Sequence, residues 1–262
     1  MRALSLALNF TRREIRNRYL GSFSGGLWAL LQPLMQLAVY SFVFVYIFKA
    51  GPIFKAGAQN AVATGFVPFL VMGLWPWIAF SEAITRSTTV LPENAGLIGK
   101  VALPREVLVI ASVGASLTLH LLGFIAICIA MALWGTPIKL IMLPLALLVY
   151  LQMALLALGL GFLFSALQVF VRDLGQVLTQ LMMLWQFTSP IFYPREILPE
   201  PYRDWMGFNP FTYYPEQMRA LLLGSESIAS GACLAALIVA LAVLALGIVV
   251  FRRLDSHFED FL

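Results

Sequence analysis

The sequence is poor in charge: Asp, Glu, Lys and Arg make up 11% of it, against 61% hydrophobic residues. A soluble domain of this size carries about a quarter charged residues. Too few polar groups remain to clothe a water-facing surface, so much of the surface must face hydrocarbon. Histidine is nearly missing. His120 and His257 are the two in the chain, too few for a His-based triad or a zinc cluster within one polypeptide. The two cysteines, Cys128 and Cys233, both fall inside apolar runs and read as small buried hydrophobes, not as a disulfide or metal pair. The net charge is +4, but there is no Lys/Arg block of the kind that holds nucleic acid, so no nucleic-acid partner is expected. A phosphate loop is lacking too. Gly96-Leu-Ile-Gly99-Lys100-Val101 places two residues between its glycines where four are needed, and Val101 stands where a Ser or Thr would hold magnesium. No cofactor or metal is expected in this chain, and any ATP-derived energy must come from a partner.

What is present is a succession of long apolar runs, with a mean hydropathy of +0.88. They predict an all-α membrane protein, a single transmembrane domain over 1–262 with six spans at about 27–48, 66–89, 107–134, 140–167, 174–192 and 232–251. The first run carries no charge and is about 33 Å long as a helix. The apolar part of the second, 66–80, covers only about 22 Å, so that span takes in Glu82 and Arg86, four apart and able to neutralise each other. His120 lies within the third span, where a bond to a neighbouring helix is expected. Acids are absent from the cores of the first, third, fourth and fifth spans, which argues against a proton- or sodium-coupled carrier.

Residues 1–22 have a different pattern. Leu4, Leu8, Thr11, Ile15 and Tyr19 share one helical face, with Arg2, Asn9, Arg13, Arg16 and Asn17 opposite, as in a helix lying in the membrane interface. A removable signal is not expected, because the basic cluster follows the short apolar stretch instead of preceding it. With the N-terminus inside, eleven basic residues fall on the inner side and six on the outer (Lys49, Lys55, Lys139, Arg195, Arg203 and Arg219). Both termini are therefore expected in the cytoplasm.

Polar and aromatic stripes run along two spans. Gln32, Gln36, Tyr40 and Phe44 recur at helical intervals on the first, and Gln176, Gln180, Met183 and Phe187 on the fifth. Amides facing lipid are costly, so these faces meet either another helix or a conduit. The conduit alternative suits a sugar, since aromatic faces stack on pyranose rings and amides exchange hydrogen bonds with hydroxyls. Trp75 and Trp77 are expected as interfacial anchors. Residues 193–230 are too polar to span. Tyr202, Trp205, Met206 and Phe208, then Phe211, Tyr214, Met218, Leu221 and Leu222, fit two short helices separated at Asn209-Pro210. Dipping into the outer leaflet, they would close an exit, an outer gate built on Tyr193, Tyr202, Trp205, Phe211 and Tyr214. Close helix approach is expected at Ala111 and Ala115, and at Ala157, Gly161 and Ser165.

Several stretches, taken in order, carry a likeness. Thr11-Arg-Arg-Glu-Ile-Arg-Asn-Arg-Tyr-Leu-Gly-Ser22 is followed by Leu27-Trp-Ala-Leu-Leu-Gln-Pro33, then Phe170-Val-Arg-Asp-Leu174, Ser189-Pro-Ile-Phe-Tyr-Pro194, Asn209-Pro210-Phe211 and Arg219. In these the chain resembles the polysaccharide-export permeases of the ABC-2 family, the membrane subunits of O-antigen, capsule and teichoic acid exporters. The resemblance implies a homodimer in the bacterial inner membrane, bound to two copies of a separate ATPase subunit that holds ATP and magnesium, and a lipid-linked polysaccharide as substrate, O-antigen or lipopolysaccharide foremost. It also implies coupling to the ATPase through the N-terminal helix (Arg12, Arg13, Arg16), through the loop 93–105 (Glu93, Asn94, Lys100, Arg105) and through Arg172 and Asp173, unless the last two only fix a helix end as an ion pair. Two other functions compete: a membrane enzyme acting on lipid-linked sugar, with Glu82 or Glu106 as its acid-base group, and a channel or scaffold without ATP coupling.

Overall fold

The computed structural model describes residues 2–19, 27–49, 65–99, 104–224, 230–258 and 261. The apolar runs are helices, and no strand occurs among the described residues. In chain order they are α1 (Arg2–Tyr19), α2 (Leu27–Phe42, continued by a π-helical turn Val43–Ile47), α3 (Phe66–Glu93), α4 (Ala95–Ile98) and α5 (Glu106–Leu133). Then come α6 (Leu143–Phe170, preceded by the 3-10 turn Leu140–Met142), α7 (Leu174–Phe187), α8 (Glu200–Gly207), α9 (Tyr213–Leu222) and α10 (Ser230–Asp255).

Five stretches among the described residues are long and apolar enough to cross a membrane: Leu30–Ile47, Phe66–Glu93, Glu106–Leu133, Leu140–Phe170 and Gly231–Asp255. Helix α7 is shorter. Its 14 residues reach about 21 Å, less than the hydrocarbon thickness of about 30 Å. The helix stops because Pro190 disfavours helical backbone at Ser189 and brings no N–H of its own. Ser189 Oγ turns back to donate to Trp185 O (2.8 Å).

Helix α3 is the axis of the molecule. It packs against α2, α5, α6, α7 and α9, and 78% of its most apolar 18-residue window is buried, against 17% for α10. Mean hydropathy runs the other way, 1.5 for α3 and 3.1 for α10. That inversion is what lipid as solvent requires, since a helix wrapped by protein needs less hydrocarbon character than one facing acyl chains.

This placement corrects the reading of Trp75 and Trp77 as interfacial anchors. They are 2% and 3% exposed, enclosed because α3 has neighbours on every side. Trp75 Nε1 donates to His120 O (2.9 Å), while Trp77 meets Trp185 and Phe211 edge-on at 5.8 and 4.8 Å. Helix α1 leans on α5 through Ala7 and Thr11, facing Gly114, where a Cβ would lie 3.5 Å from Thr11 Oγ1. Leu8 is 62% exposed. The side chains of Leu4 and Tyr19 lie outside the described ones.

The small residues expected at helix contacts are buried: Ala111, Ala115, Ala157 and Ser165, with Gly161 facing Ser87. The tightest approach lies elsewhere, between Gly159 of α6 and Gly247 of α10. Where α6 ends and α10 closes, Phe162, Phe251 and Phe258 form a second apolar cluster. Arg105 Nη1 closes it by donating to Asp255 O (2.7 Å) and Asp255 Oδ1 (2.9 Å).

Candidate functional site

Helix α3 carries Ser81, Glu82, Thr85 and Arg86 within one and a half turns. Glu82 and Arg86 are one turn apart, so their side chains meet on the same face. Arg86 Nε donates to Glu82 Oε1 at 2.7 Å. The other carboxylate oxygen, Oε2, is 2.7 Å from His120 Nε2 of α5. His120 Nδ1 is buried without a partner, so a proton there would go unsatisfied; the hydrogen is assigned to Nε2, which donates to Glu82. The bond to a neighbouring helix expected of His120 is thus present, and its acceptor is the acid of the second apolar run.

Glu82 and Arg86 line a cavity of about 430 Å³ between α2, α3 and α7. Gln32 and Gln36 reach it from α2, and Thr179, Met183 and Gln186 from α7. Of the eight residues in the two stripes, three (Gln32, Gln36 and Met183) therefore share one space. Three others, Tyr40, Phe44 and Phe187, converge on Phe192 with ring centroids 4.8, 5.6 and 5.2 Å away. Gln176 and Gln180 lie exposed on α7, outside the cavity. Sequence reading missed Ser81, Thr85 and Gln186 as members. The available signal was Glu82 itself, an acid in an apolar run flanked by hydroxyl residues at helical spacing.

The second organised region joins α7 to α8 and α9. Asn209 is its fastener. Its Oδ1 accepts from Trp185 Nε1 (2.7 Å) and from Phe211 N (3.0 Å), and its Nδ2 donates to Ser189 Oγ (2.9 Å) and Thr188 O (3.3 Å). Asn209→Leu should cost about 2–6 kcal/mol, since four partners lose their bond at roughly 0.5–1.5 kcal/mol each. Thermal unfolding in detergent checks this, and an unchanged midpoint would refute the fastener role.

Above that joint, Tyr193, Tyr202 and Trp205 line a groove of about 550 Å³ together with Trp185, Phe187 and Phe208. Phe211 and Tyr214, expected beside them, are instead fully buried, Phe211 against Trp77 and Phe80 and Tyr214 against Phe211. Burial pushes the Tyr214 phenol up. Deeper still, Arg219 of α9 is enclosed, and Nε, Nη1 and Nη2 donate to Phe69 O (3.1 Å), Pro190 O (2.6 Å) and Ile191 O (2.9 Å). Burial draws its pKa down to about 9, with Glu216 and Glu196 opposing; the group stays cationic at neutral pH. Burial raises Glu216, against the pull of Arg195 and Arg219.

The described residues among those expected to couple to an ATPase lie on α1 and beside the ends of α3, α5 and α6. Arg12, Arg13 and Arg16 are exposed on α1, with Arg13 over the Phe10 ring (5.7 Å). Glu93 is exposed, and Asn94 Nδ2 donates to Val90 O (2.9 Å) where α3 ends. Arg105 is occupied by Asp255. Arg172 and Asp173 are both exposed, and no ion pair joins them among the described residues. Lys100 lies outside the described residues.

Comparison with known proteins adds the decisive observation. The sequence profile of the family described as "ABC-2 type transporter" matches residues 7–223. The chain belongs to the ABC-2 type transporter family. This ABC-2 chain is similar to the O-antigen export system permease protein RfbA of Myxococcus xanthus, 29% identical over 192 residues, covering 72% of this chain and 68% of the relative. It is 27% identical over 216 residues to the O-antigen export permease RfbA of Klebsiella pneumoniae, with 78% and 75% covered. The polysialic acid transport protein KpsM of Escherichia coli is 27% identical over 216 residues, with 80% and 78% covered. An ABC-2 identity makes this a multi-pass membrane component of a transporter, in line with the all-helical fold.

Proposed function

We propose that this chain is the membrane subunit of an ATP-driven exporter that passes a lipid-linked polysaccharide, of the O-antigen type, outward across the bacterial inner membrane. The family match over 7–223, joined to relatives named for O-antigen export, carries the reading. Two copies of the chain enclose the conduit, each bound to one ATPase subunit that supplies ATP and magnesium. Helix α7 with residues 188–192 makes the sixth crossing, both termini face the cytoplasm, and α8 and α9 form a re-entrant outer gate.

In this mechanism ATP-driven closure of the partner subunits pushes on α1 at Arg12, Arg13 and Arg16. It also pushes on the loop 93–105 at Glu93, Asn94, Lys100 and Arg105, and on Arg172 and Asp173. The displacement reshapes the conduit lined by Gln32, Gln36, Tyr40, Phe44, Gln176, Gln180, Met183 and Phe187. Its support is the exposure of Gln176, Gln180 and Phe187 on a face of α7, where amides bordered only by lipid would be costly. The gate opens at Tyr193, Tyr202 and Trp205, hinged over Phe211 and Tyr214.

One observation favours a rival. His120 and Glu82 at 2.7 Å form the acid-base pair that an enzyme acting on lipid-linked sugar would need. Arg86 holds the same carboxylate, an arrangement that suits a fixed carboxylate better than a proton-transfer group. A single experiment separates the readings. Reconstituted alone, the chain should neither hydrolyse ATP nor turn over lipid-linked sugar; with its partner ATPase it should hydrolyse ATP and move the glycan. ATP hydrolysis or sugar turnover by the chain alone would overturn the exporter reading.

A further inference from the structure

The walls of the cavity between α2, α3 and α7 offer both acceptors and donors, each from its own set of side chains. Ser81 Oγ donates to Ile78 O, Thr85 Oγ1 to Ser81 O and Glu82 O, and Thr179 Oγ1 to Gly175 O. With their hydrogens spent on backbone carbonyls, these three hydroxyls offer the cavity lone pairs only. The Glu82 carboxylate is an acceptor as well. Donors come from the amides of Gln32, Gln36 and Gln186 and from Arg86. The charge is already balanced, because the one anion and the one cation among the described lining residues are joined at 2.7 Å. A ligand with a formal charge finds its counter-charge already paired here, and a phosphate or carboxylate, which accepts but does not donate, can use the amides but leaves the hydroxyl and Glu82 acceptors without a donor. A polyhydroxyl ligand donates to those acceptors and accepts from the amides.

We propose that this cavity is a subsite for uncharged sugar residues of the transported glycan, with Glu82, held in place by His120 and Arg86, as the acceptor of their hydroxyls. The inference rests on the exporter reading and narrows it, selecting a neutral glycan over a polyanionic one. The volume of about 430 Å³ lies in the usual range of small-molecule sites, about 300–1,000 Å³. His120 is a positioning residue. It is 5% exposed and acts on the ligand only through Glu82 Oε2.

The test uses the full chain in lipid nanodiscs and saturation-transfer NMR, which reads weak binding. The probes are maltotriose as a neutral oligosaccharide and a sialic acid trimer as an acidic one. Maltotriose should receive saturation and the acidic trimer little or none. Glu82→Gln, which keeps the shape and removes the charge, should weaken maltotriose about tenfold, the loss expected when hydrogen bonds to a charged acceptor go. Gln186→Leu, on a different helix, should weaken it by a smaller factor and keeps the question answerable if the Glu82 variant fails to fold. Equal binding of maltotriose by the wild type and both variants, no binding of maltotriose, or preference for the acidic trimer would each overturn the subsite. ATP hydrolysis with the partner subunit, measured on the same preparation, reports on the exporter reading separately. Hydrolysis with no maltotriose binding would remove the subsite and leave the exporter; binding with no hydrolysis would do the reverse.

Discussion

Arg219→Met should leave little folded protein in the membrane. The guanidinium is 4% exposed and stacks 3.5 Å over the Phe69 ring while donating to three carbonyls. Two of those, Pro190 O and Ile191 O, belong to the non-helical stretch after α7 and have no helical ladder to fall back on. Desolvating the cation has a cost, shown by the fall of its pKa to about 9, and methionine would remove that cost. Each stranded carbonyl, however, costs about 1–3 kcal/mol, and the stacking on Phe69 is lost besides. The carbonyls win, and a net loss of about 3 kcal/mol or more is expected. Arg219→Lys should recover part of it, because one ammonium cannot reach three acceptors lying in different directions. Gly73 shares the site: a Cβ there would lie 2.5 Å from Arg219 Nη2 and 3.2 Å from Ile191 O, so Gly73→Ala should resemble the lysine variant. Thermal unfolding in detergent and the yield of monodisperse protein measure all three. A methionine variant as stable as the wild type would show that α9 docks by its apolar face alone.

The second large effect belongs to the contact of α6 with α10. A Cβ on Gly247 would run into the Gly159 carbonyl oxygen, and one on Gly159 would lie 2.6 Å from Leu244 N and 2.7 Å from Leu244 Cα. These obstacles are backbone, so no side chain can swing aside and the two helices must part. Gly247→Ala should cost about 1–3 kcal/mol, the usual range for overpacking, and Gly247→Leu more. Gly231→Ala on the same helix meets nothing within 4 Å and should be neutral or slightly stabilising, since alanine is the better helix former. If the Gly247 and Gly231 variants melted alike, close backbone approach would not be what joins α10 to the bundle.

Both regions show where sequence reading stops. The apolar runs announce an all-helical membrane protein because runs of that length need hydrocarbon around them. The pairing of Glu82 with Arg86 follows from a spacing of four on one helix. His120 was legible as a residue that must find a partner, but not as the partner of Glu82, because the two helices reveal nothing of their relative rotation until they pack. Arg219 counted as one more basic residue of the outer side, yet it is buried, and the carbonyls of Phe69, Pro190 and Ile191, brought together by packing, explain why a cation can sit there. The tryptophans of α3 illustrate the same limit. Amphipathic rings near the end of an apolar run suit an interface or a core equally well until the neighbours are known.

By itself the sequence determined the solvent of this protein, its helical class, the lack of a nucleotide loop and the family signature spread along the chain. These are properties of composition and local spacing, which each segment carries alone. Tertiary structure decided which helix is central, which of the striped residues share a cavity, and which carboxylate His120 meets. Those depend on the rotation and approach of helices packed side by side, and one missing Cβ at Gly159 or Gly247 changes that approach more than any hydropathy value foretells.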